Sequence, residues 1–424
     1  MNDDEYAHPS KRAQPFFYGY VVVIAATVIM VASYGAFYSF GIFFKPILED
    51  FHWTRAMTSG AFSLATILSG VTSVLVGRLT DRFGSQMVMT LVGLLLGLGY
   101  LLMSQISSIW QLYLFYGVLI GLGMGGPFVS LLTTIARWFV ARRGLMTGIV
   151  LAGIGVGSII VPPVANWLIS NFNWHTSYVI LGIMVLALIV PSAQFFRAKP
   201  KPTGQITYGE DERVEHQSQV ETRAISLREA IGTWQLWTVC TMVFCLGFCV
   251  FSIIVHIVPH ATDLGISPSI ASLLLAIIGI SSIGGKVGMG YLADSIGARK
   301  VWIICFAFLA IAMIGTAITT EVWILYAVIA VFGFAYGGGV SVESILIAEL
   351  FGLDSLGAIL GLAGFFFTFG AALGPLQAGY IFDVTSSYQL AFIILGIAAV
   401  LGLIASAAIK PINHNRISSQ VNTH

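Results

Sequence analysis

Long apolar runs separated by short polar segments extend through the whole chain. Twelve of these runs are long enough to cross a hydrocarbon core of roughly 30 Å as helices, which takes about 20 residues each. They lie at 17–42, 56–76, 86–105, 111–136, 145–169, 177–196, 233–258, 268–291, 300–319, 323–348, 355–378 and 388–409. Lipid offers no hydrogen bonds to open backbone groups, and the runs are too uniformly apolar for barrel strands. The pattern therefore predicts an all-α integral membrane protein.

Composition adds several expectations. Of the 424 residues, 57% are hydrophobic and 9% are charged, and the net charge of +1 gives no sign of a nucleic-acid partner. The polar start, 1–14, leads directly into a full-length run, so we expect no cleavable signal peptide. The four cysteines lie in apolar runs without metal-ligand spacing, so we expect them to be buried, with no metal site and no cofactor.

The basic residues predict the orientation of the chain in the bilayer. With the N-terminus inside, seventeen of the twenty Lys and Arg residues fall on the inner side. Lys45 and Arg55 lie outside, and Lys286 lies within a span. By the positive-inside rule, we expect a multi-pass protein of the cell inner (plasma) membrane with both termini cytoplasmic.

One long polar stretch divides the chain. Residues 198–229 are predicted to be a cytoplasmic linker between an N-terminal six-helix bundle, 1–197, and a C-terminal six-helix bundle, 230–424. An internal repeat fits this division, with both copies placed in the loop after the second span of a half. Its matched positions, each pair 213 residues apart, are Gly77, Leu79, Asp81 and Gly84 and then Gly290, Leu292, Asp294 and Gly297. Parallel repeats of this kind place a substrate site between the halves, near the membrane midplane.

The repeated motif resembles the signature of the major facilitator superfamily, and the resemblance covers essentially the whole chain. The segments Tyr18-Gly19-Tyr20, Trp138-Phe139 with Arg142-Arg143-Gly144, and 255–263 are similar to monocarboxylate transporters and oxalate/formate antiporters. The resemblance implies the major facilitator fold, with twelve transmembrane helices in two pseudo-symmetric bundles. We expect such a carrier to function as a monomer.

The repeated acidic positions are candidates for a gate at the cytoplasmic side. Asp81 with Arg82, and Asp294 in the second copy, are predicted at helix ends, where a carboxylate caps a neighbouring helix and pairs with a cation such as Arg142. The alternative is that these residues are only loop caps and topology signals.

Lys286 is the candidate substrate anchor. A charge within a span costs some 2.5 kcal/mol or more unless it faces a cavity or a partner. In the family that the chain resembles, the aligned position usually carries an arginine that binds the substrate carboxylate. One cation matches one carboxylate, so a monocarboxylate is favoured over a dianion. The alternative is that the lysine reaches the inner surface by snorkelling.

Aromatic and hydroxyl side chains are predicted to complete the site. Tyr34 with Tyr38, and Phe332 with Tyr336, share helix faces at a spacing of four residues. Each of these side chains has packing as its alternative role. The predicted substrate-binding set is Lys286, Tyr34, Tyr38, Tyr116, Ser282, Phe332, Tyr336 and Phe365.

Proton coupling requires a group that titrates during the cycle. Asp263 and His260 end the seventh span, and Glu343 is the one acid placed within a span. A carboxylate beside a histidine can share a proton, and Glu343 is a candidate partner for Lys286. The alternatives are an exposed helix cap for Asp263 and contact with water at the inner surface for Glu343.

These observations predict a secondary active transporter that moves a small, lactate- or pyruvate-like monocarboxylate with a proton by alternating access. The alternatives are an anion exchanger of the oxalate/formate type and a transporter-like membrane sensor. No nucleophile with a base, metal cluster or phosphate loop is visible in the sequence, so we do not expect an enzyme.

Overall fold

The structure of the protein, a computed structural model, describes residues 18–139, 143–196, 227–352 and 356–409. The described chain is almost entirely helical. Apolar segments of this length satisfy their backbone hydrogen bonds within each helix, as a bilayer requires. The predicted linker falls outside the described residues except for 227–229, which begin a short helix.

The first half contains a series of long helices with short connections. Its elements are α1 (Gly19–Tyr38), α2 (Phe40–Phe51), α3 (Arg55–Phe83), α4 (Ser85–Met103), α5 (Ile109–Leu112), a π-helical segment (Tyr113–Ile120), α6 (Gly121–Met124), α7 (Pro127–Trp138), α8 (Arg143–Asn171) and α9 (Trp174–Ala193). Together α1 and α2 form the first crossing, and the elements from α5 to α7 form the fourth. This half therefore crosses six times.

The second half repeats this arrangement with fewer interruptions. Its elements are α10 (Leu227–Ile231), α11 (Trp234–Asp263), α12 (Pro268–Ile296), α13 (Ala298–Ile318), α14 (Val322–Phe351), α15 (Leu356–Thr385) and α16 (Gln389–Ala408). The helices from α11 to α16 make six crossings.

Eleven crossings in the described part of the chain are long and apolar enough to span a membrane. The twelfth, α3, has 29 residues but is more polar, with serine and threonine throughout its length. The predicted all-α, twelve-helix fold is confirmed.

Two details of the predicted spans were wrong. The first run was predicted to end at residue 42, but after a break at Ser39 the helix continues as α2 to Phe51. The repeated motif was predicted in a loop, but both copies lie in the last turns of α3 and α12. Both helices continue beyond the apolar core, because backbone hydrogen bonds form equally well among polar residues at the membrane surface. A change from apolar to polar side chains therefore does not locate the end of a helix.

The repeat has a structural counterpart at its two final glycines. Gly84 has φ 84° and ψ 155°, and Gly297 has φ 86° and ψ 149°. Each of these glycines lies between the end of one helix and the start of the next. Its backbone conformation is one that residues with a Cβ rarely adopt. Glycine recurs at both positions because both halves make the same turn.

Each half packs as its own bundle. In the first, α1 packs on α8 and α4 packs on α9; in the second, α11 packs on α15, α12 on α14 and α13 on α16. In the described chain, the main contacts between bundles join α3 with α15, α8 with α12, and α2 with α11. Any site between the bundles is therefore bordered by these three helix pairs.

Candidate functional site

The two ends of the molecule differ in how the bundles meet. We call the end that carries Asp263 the Asp263 end, and the opposite end, where α9 finishes and α10 begins, the linker end. At the Asp263 end, ion pairs and hydrogen bonds cross from one bundle to the other. At the linker end, the described residues leave a gap between the bundles.

Arg55, at the start of α3, is the centre of the contacts at the Asp263 end. Its guanidinium lies 2.7 Å from the Asp263 carboxylate, donates to Tyr388 Oη at 2.6 Å and lies 3.6 Å above the Phe382 ring. The side chain is 11% exposed. Since α3 belongs to the first bundle and all three partners belong to the second, this arginine ties the bundles together.

Two further contacts support this connection. The Asp383 carboxylate accepts hydrogen bonds from the backbone N–H groups of Arg55 and Ala56, both at 2.7 Å. A carboxylate from the second bundle thereby caps a helix of the first. Lys45 Nζ lies 3.6 Å from the Asp263 carboxylate, in a more exposed position.

His256 lies behind this cluster, fully buried in α11. Its Nδ1 is 2.9 Å from Tyr388 Oη, and its Nε2 is 2.8 Å from the carbonyl oxygen of Pro375. A continuous set of hydrogen bonds therefore leads from Arg55 at the interface between the bundles to the interior of the second bundle.

Close contacts between the two bundles extend from the Asp263 end towards the centre of the molecule. A Cβ at Gly41 of α2 would lie 2.8 Å from the carbonyl oxygen of Ile254, and a Cβ at Gly70 of α3 would lie 2.6 Å from Thr368 Cγ2. Glycine is needed at both places because the bundles approach so closely.

The contact between α8 and α12 also extends from the Asp263 end towards the middle of the membrane spans. Asn166 Nδ2 donates to Ser269 Oγ at 3.3 Å near the Asp263 end. Further along, a Cβ at Gly155 would lie 2.8 Å from Ile283 Cγ1. On both sides of the interface, contact between the bundles reaches the middle of the spans.

Towards the linker end, the described parts of the bundles separate. A Cβ built at Gly148 of α8 would meet nothing within 4 Å, and the same holds for Gly361 and Gly364 of α15. Gly148 lies seven residues before the contacting Gly155 of α8, and Gly361 and Gly364 lie seven and four residues before the contacting Thr368 of α15, so each is on the same helix face but nearer the linker end. The described structure is thus closed at the Asp263 end and open towards the linker end.

Lys286 lies where this contact ends. Three residues before it, Ile283 packs on α8; four residues before it, Ser282 packs against the backbone of Gly337 in α14. Its position on the helix places Lys286 between these two faces, at the border of the gap. The side chain is half-buried and, among the described residues, forms no ion pair or hydrogen bond.

Three of the predicted tyrosines lie together across the interface. The rings of Tyr34 and Tyr38 pack edge to face at 5.9 Å, and the Tyr38 hydroxyl interacts with that of Tyr336 from the other bundle. Phe332 stacks on Tyr336 at 6.4 Å. Gly285, the neighbour of Lys286, meets the backbone of Phe334, and Ser282 meets that of Gly337, so the backbone of Lys286 lies at a depth close to that of Tyr336.

Three other predicted lining residues are engaged elsewhere. Tyr116 is buried and donates to the carbonyl oxygen of Phe37 at 3.2 Å within the first bundle. The Ser282 hydroxyl donates to the Gly279 carbonyl of its own helix at 2.9 Å. Phe365 is 60% exposed and stacks on Phe369.

The predicted proton-coupling residues lie at opposite ends. Asp263 is held by the two cations described above, and His260 packs its ring on Tyr388 and Phe392. Glu343 lies in α14, in the part of that helix nearer the linker end. It forms no ion pair with Lys286 in this structure, and both side chains are half-buried on the linker side of the interface.

The predicted gating residues are described only in part. The Arg82 side chain is exposed, with its guanidinium 5.2 Å from the Phe83 ring centre. Arg142 lies outside the described residues, as do the side chains of Asp81 and Asp294. All four cysteines are buried and unpaired, as predicted.

Sequence reasoning missed the network around Arg55. It used Lys45 and Arg55 only as topology markers and did not select Asp383 or Tyr388. The sequence did contain a signal. Lys45 and Arg55 are the two cations predicted outside the membrane, and the acidic residues Asp263 and Asp383 end two spans on that same side. Hydropathy alone does not tell which helix ends meet.

Comparison with known proteins now places the chain in a family. The Major Facilitator Superfamily profile matches residues 26–261 and again residues 257–422. The chain belongs to this superfamily. Because the profile matches each half separately, the two matches also agree with the internal repeat.

Relatives of this superfamily member align along most of their length. Monocarboxylate transporter 13 from Rattus norvegicus is 28% identical over 404 residues, covering 91% of this chain and 87% of the relative. Monocarboxylate transporter 12 from Mus musculus is 25% identical and covers 91% and 84%. The chain is thus a secondary transporter of the monocarboxylate-transporter-like subgroup and not an enzyme.

Solved structures show the same superfamily fold. A bacterial homologue of the human lysosomal transporter Spinster, in an inward-facing and occupied conformation, superposes with a TM-score of 0.74 at 15% identity. The match covers 93% of this chain and 96% of that one. At this identity the likeness supports the fold alone.

Proposed function

We propose that the chain moves a small monocarboxylate, of the size of lactate or pyruvate, together with a proton by alternating access around Lys286. The observation that carries the proposal is the position of Lys286. It is a half-buried cation without a partner among the described residues, at the border of the open gap, in a chain similar to monocarboxylate transporters.

The charge of Lys286 suits an anionic substrate. Placing a charged side chain at the centre of a membrane helix costs on the order of 3 kcal/mol, which a bound carboxylate offsets. A lysine is a point charge without the fixed fork of arginine, so it pairs with a single carboxylate without demanding one orientation. Tyr34, Tyr38 and Tyr336 provide hydroxyl groups and ring surface for the rest of a small molecule.

Proton coupling would keep the load neutral. A carboxylate and a proton together cancel in charge, so the loaded carrier moves no net charge across the membrane. Asp263 and His260 at one end and Glu343 at the other are titratable groups reachable from opposite sides of the closure. We therefore retain these three residues as the proposed coupling groups.

The remaining sequence predictions fit the same cycle as proposals. Bundles 1–197 and 230–424 would rock about the linker 198–229 in the plasma membrane, with both termini cytoplasmic. Asp81, Arg82, Arg142 and Asp294 would close the linker end when the Asp263 end opens. Tyr116, Ser282, Phe332 and Phe365 would support or border the site.

The test is uptake of labelled lactate into proteoliposomes with and without an inward proton gradient. We expect gradient-driven uptake by the natural chain and a loss of roughly tenfold or more in Lys286→Gln. A hydrogen bond to a charged group is worth about 1.5–3 kcal/mol, and 1.4 kcal/mol is tenfold in affinity.

Lys300→Gln is the matched control, because it removes the same charge from an exposed position on α13. It should transport like the natural chain. Equal uptake by the natural chain and Lys286→Gln would overturn the role of Lys286. Uptake that ignores the gradient but follows an anion loaded inside the vesicles would replace symport with exchange.

A further inference from the structure

The hydrogen bonds behind Arg55 have a defined direction. A guanidinium only donates, so the Tyr388 oxygen accepts from Arg55 Nη1. A carbonyl oxygen only accepts, so His256 Nε2 carries a hydrogen and donates to Pro375. In a neutral imidazole Nδ1 is then the acceptor, and the Tyr388 hydroxyl donates to it.

This arrangement disfavours a second proton on His256. A proton on Nδ1 would make both His256 and Arg55 donors to the same Tyr388 oxygen, while the hydrogen of Tyr388 would lose its acceptor. Two positive charges would also share one hydroxyl in a site shielded from water, where repulsion is strong. The closed Asp263 end is therefore built for neutral His256.

The groups around His256 offer no compensating anion. From α2 it meets the Phe44 ring at 5.2 Å, from α15 the Pro375 carbonyl, and just before α16 the Tyr388 hydroxyl. The ionisable groups at this end are Lys45, Glu49, Asp50, His52, Arg55 and His175 from the first bundle and His260, Asp263, Glu321 and Asp383 from the second. Among the described residues, none of the carboxylates bonds to the imidazole; Asp263 and Asp383 bind Lys45 and Arg55, and Asp50 accepts from Trp174.

We propose that His256 is a proton-binding site linked to opening of the Asp263 end. When the first bundle moves away, Arg55 leaves Tyr388, the hydroxyl can turn, and Nδ1 becomes free to accept a proton. Proton binding then favours the open arrangement, and loss of the proton favours closure, because a ligand shifts an equilibrium towards the state that binds it better.

This inference rests on the proposed function, since it assigns the proton of that cycle to a residue outside the predicted coupling set. It also predicts the direction of the pH effect. Lowering the pH should open the Asp263 end even without a carboxylate substrate, and raising the pH should close it.

The test measures the distance between spin labels at Gln105→Cys and Thr320→Cys in lipid nanodiscs across a pH series without substrate. Both positions are exposed at the Asp263 end, one in each bundle, and the four native cysteines are buried. We expect the long-distance fraction to rise as the pH falls in the natural background. In His256→Gln, which cannot accept the proton, this rise should shrink at least fivefold.

His175→Gln is the matched control, because His175 lies at the same end but stacks on Trp174, outside the network. It should keep the full pH response. Tyr388→Phe is a second variant: it removes the hydroxyl that couples the imidazole to Arg55, so it should reduce the response at least twofold. Tyr388→Phe provides the test if His256→Gln unfolds at a lower temperature than the natural chain.

Two results would overturn the proposal: an undiminished pH response in a folded His256→Gln, or in Tyr388→Phe. These outcomes are separate from the fate of the proposed function. Gradient-driven uptake with a pH response that ignores His256 would keep the function and remove this site. A His256-dependent response without lactate uptake would keep the site and remove the substrate.

Discussion

The charged groups at the interface between the bundles are paired at the Asp263 end and, in the described part of the chain, unpaired towards the linker end. At the Asp263 end, Asp263 pairs with Arg55 and Asp383 binds the start of α3, and both contacts join the two bundles. At the linker side of the interface, Lys286 and Glu343 lie half-buried without ion-pair partners among the described residues. Paired charges cross between the bundles at one end, and the charges without ion-pair partners lie on the side where the described parts of the bundles separate.

The largest effect on this contrast is expected from Arg55→Gln. The change removes the ion pair to Asp263, the bond to Tyr388 and the contact with Phe382 together. Breaking a largely buried ion pair by removing one partner costs on the order of 3 kcal/mol, or roughly a hundredfold in the closed-to-open ratio. Distances between the labels at positions 105 and 320 measure that ratio; an unchanged distribution would mean that Arg55 does not hold the end shut.

Asp263→Asn should have an intermediate effect. The amide keeps the shape but loses the charge, while Arg55 retains Tyr388 and Phe382. The carboxylate is 26% exposed, so solvent screens part of its interaction. We expect a shift of about tenfold or less in the same ratio, and a shift as large as that of Arg55→Gln would show that the hydrogen bond to Tyr388 contributes little.

Lys45→Gln should have a smaller effect. Its distance to Asp263 is 3.6 Å and its side chain is 35% exposed, and such exposed pairs contribute about 1 kcal/mol or less. The shift should also fade in high salt, which screens exposed charges. A salt-independent effect would indicate that Lys45 acts through packing.

The smallest effect at the Asp263 end is expected from Glu343→Gln. Glu343 lies on the other side of the interface and contacts none of the network residues. The distance distribution should stay within about twofold of the natural ratio, while uptake is free to change. A large shift would show that the two ends are coupled through α14.

Most of the fold was predictable because lipid restricts the choices. Apolar length predicted every crossing except for its exact ends, and the repeat predicted two similar halves. Hydropathy did not predict the break at Ser39 or the π-helical segment Tyr113–Ile120, since both depend on local packing and not on polarity.

The candidate site was predictable where one residue stood out from its surroundings. Lys286 is conspicuous as a cation within an apolar run, and its role stays a proposal. Tyr116 and Tyr336 look alike in sequence, but one donates to Phe37 inside its bundle and the other meets Tyr38 across the interface. Periodicity assigns a residue to a face of its helix, while the neighbour of that face is set by tertiary packing.

The sequence by itself determined the membrane location of the helices, their number and the duplicated architecture, because each follows from local chain chemistry and the demand of lipid for satisfied backbone groups. Only the tertiary structure decided which end is closed. Arg55, His256, Asp263 and Asp383 come from three helices and Tyr388 precedes a fourth, and residues up to 333 positions apart meet there. Their contacts depend on how two bundles lean on each other, and that orientation is a property of the packed molecule.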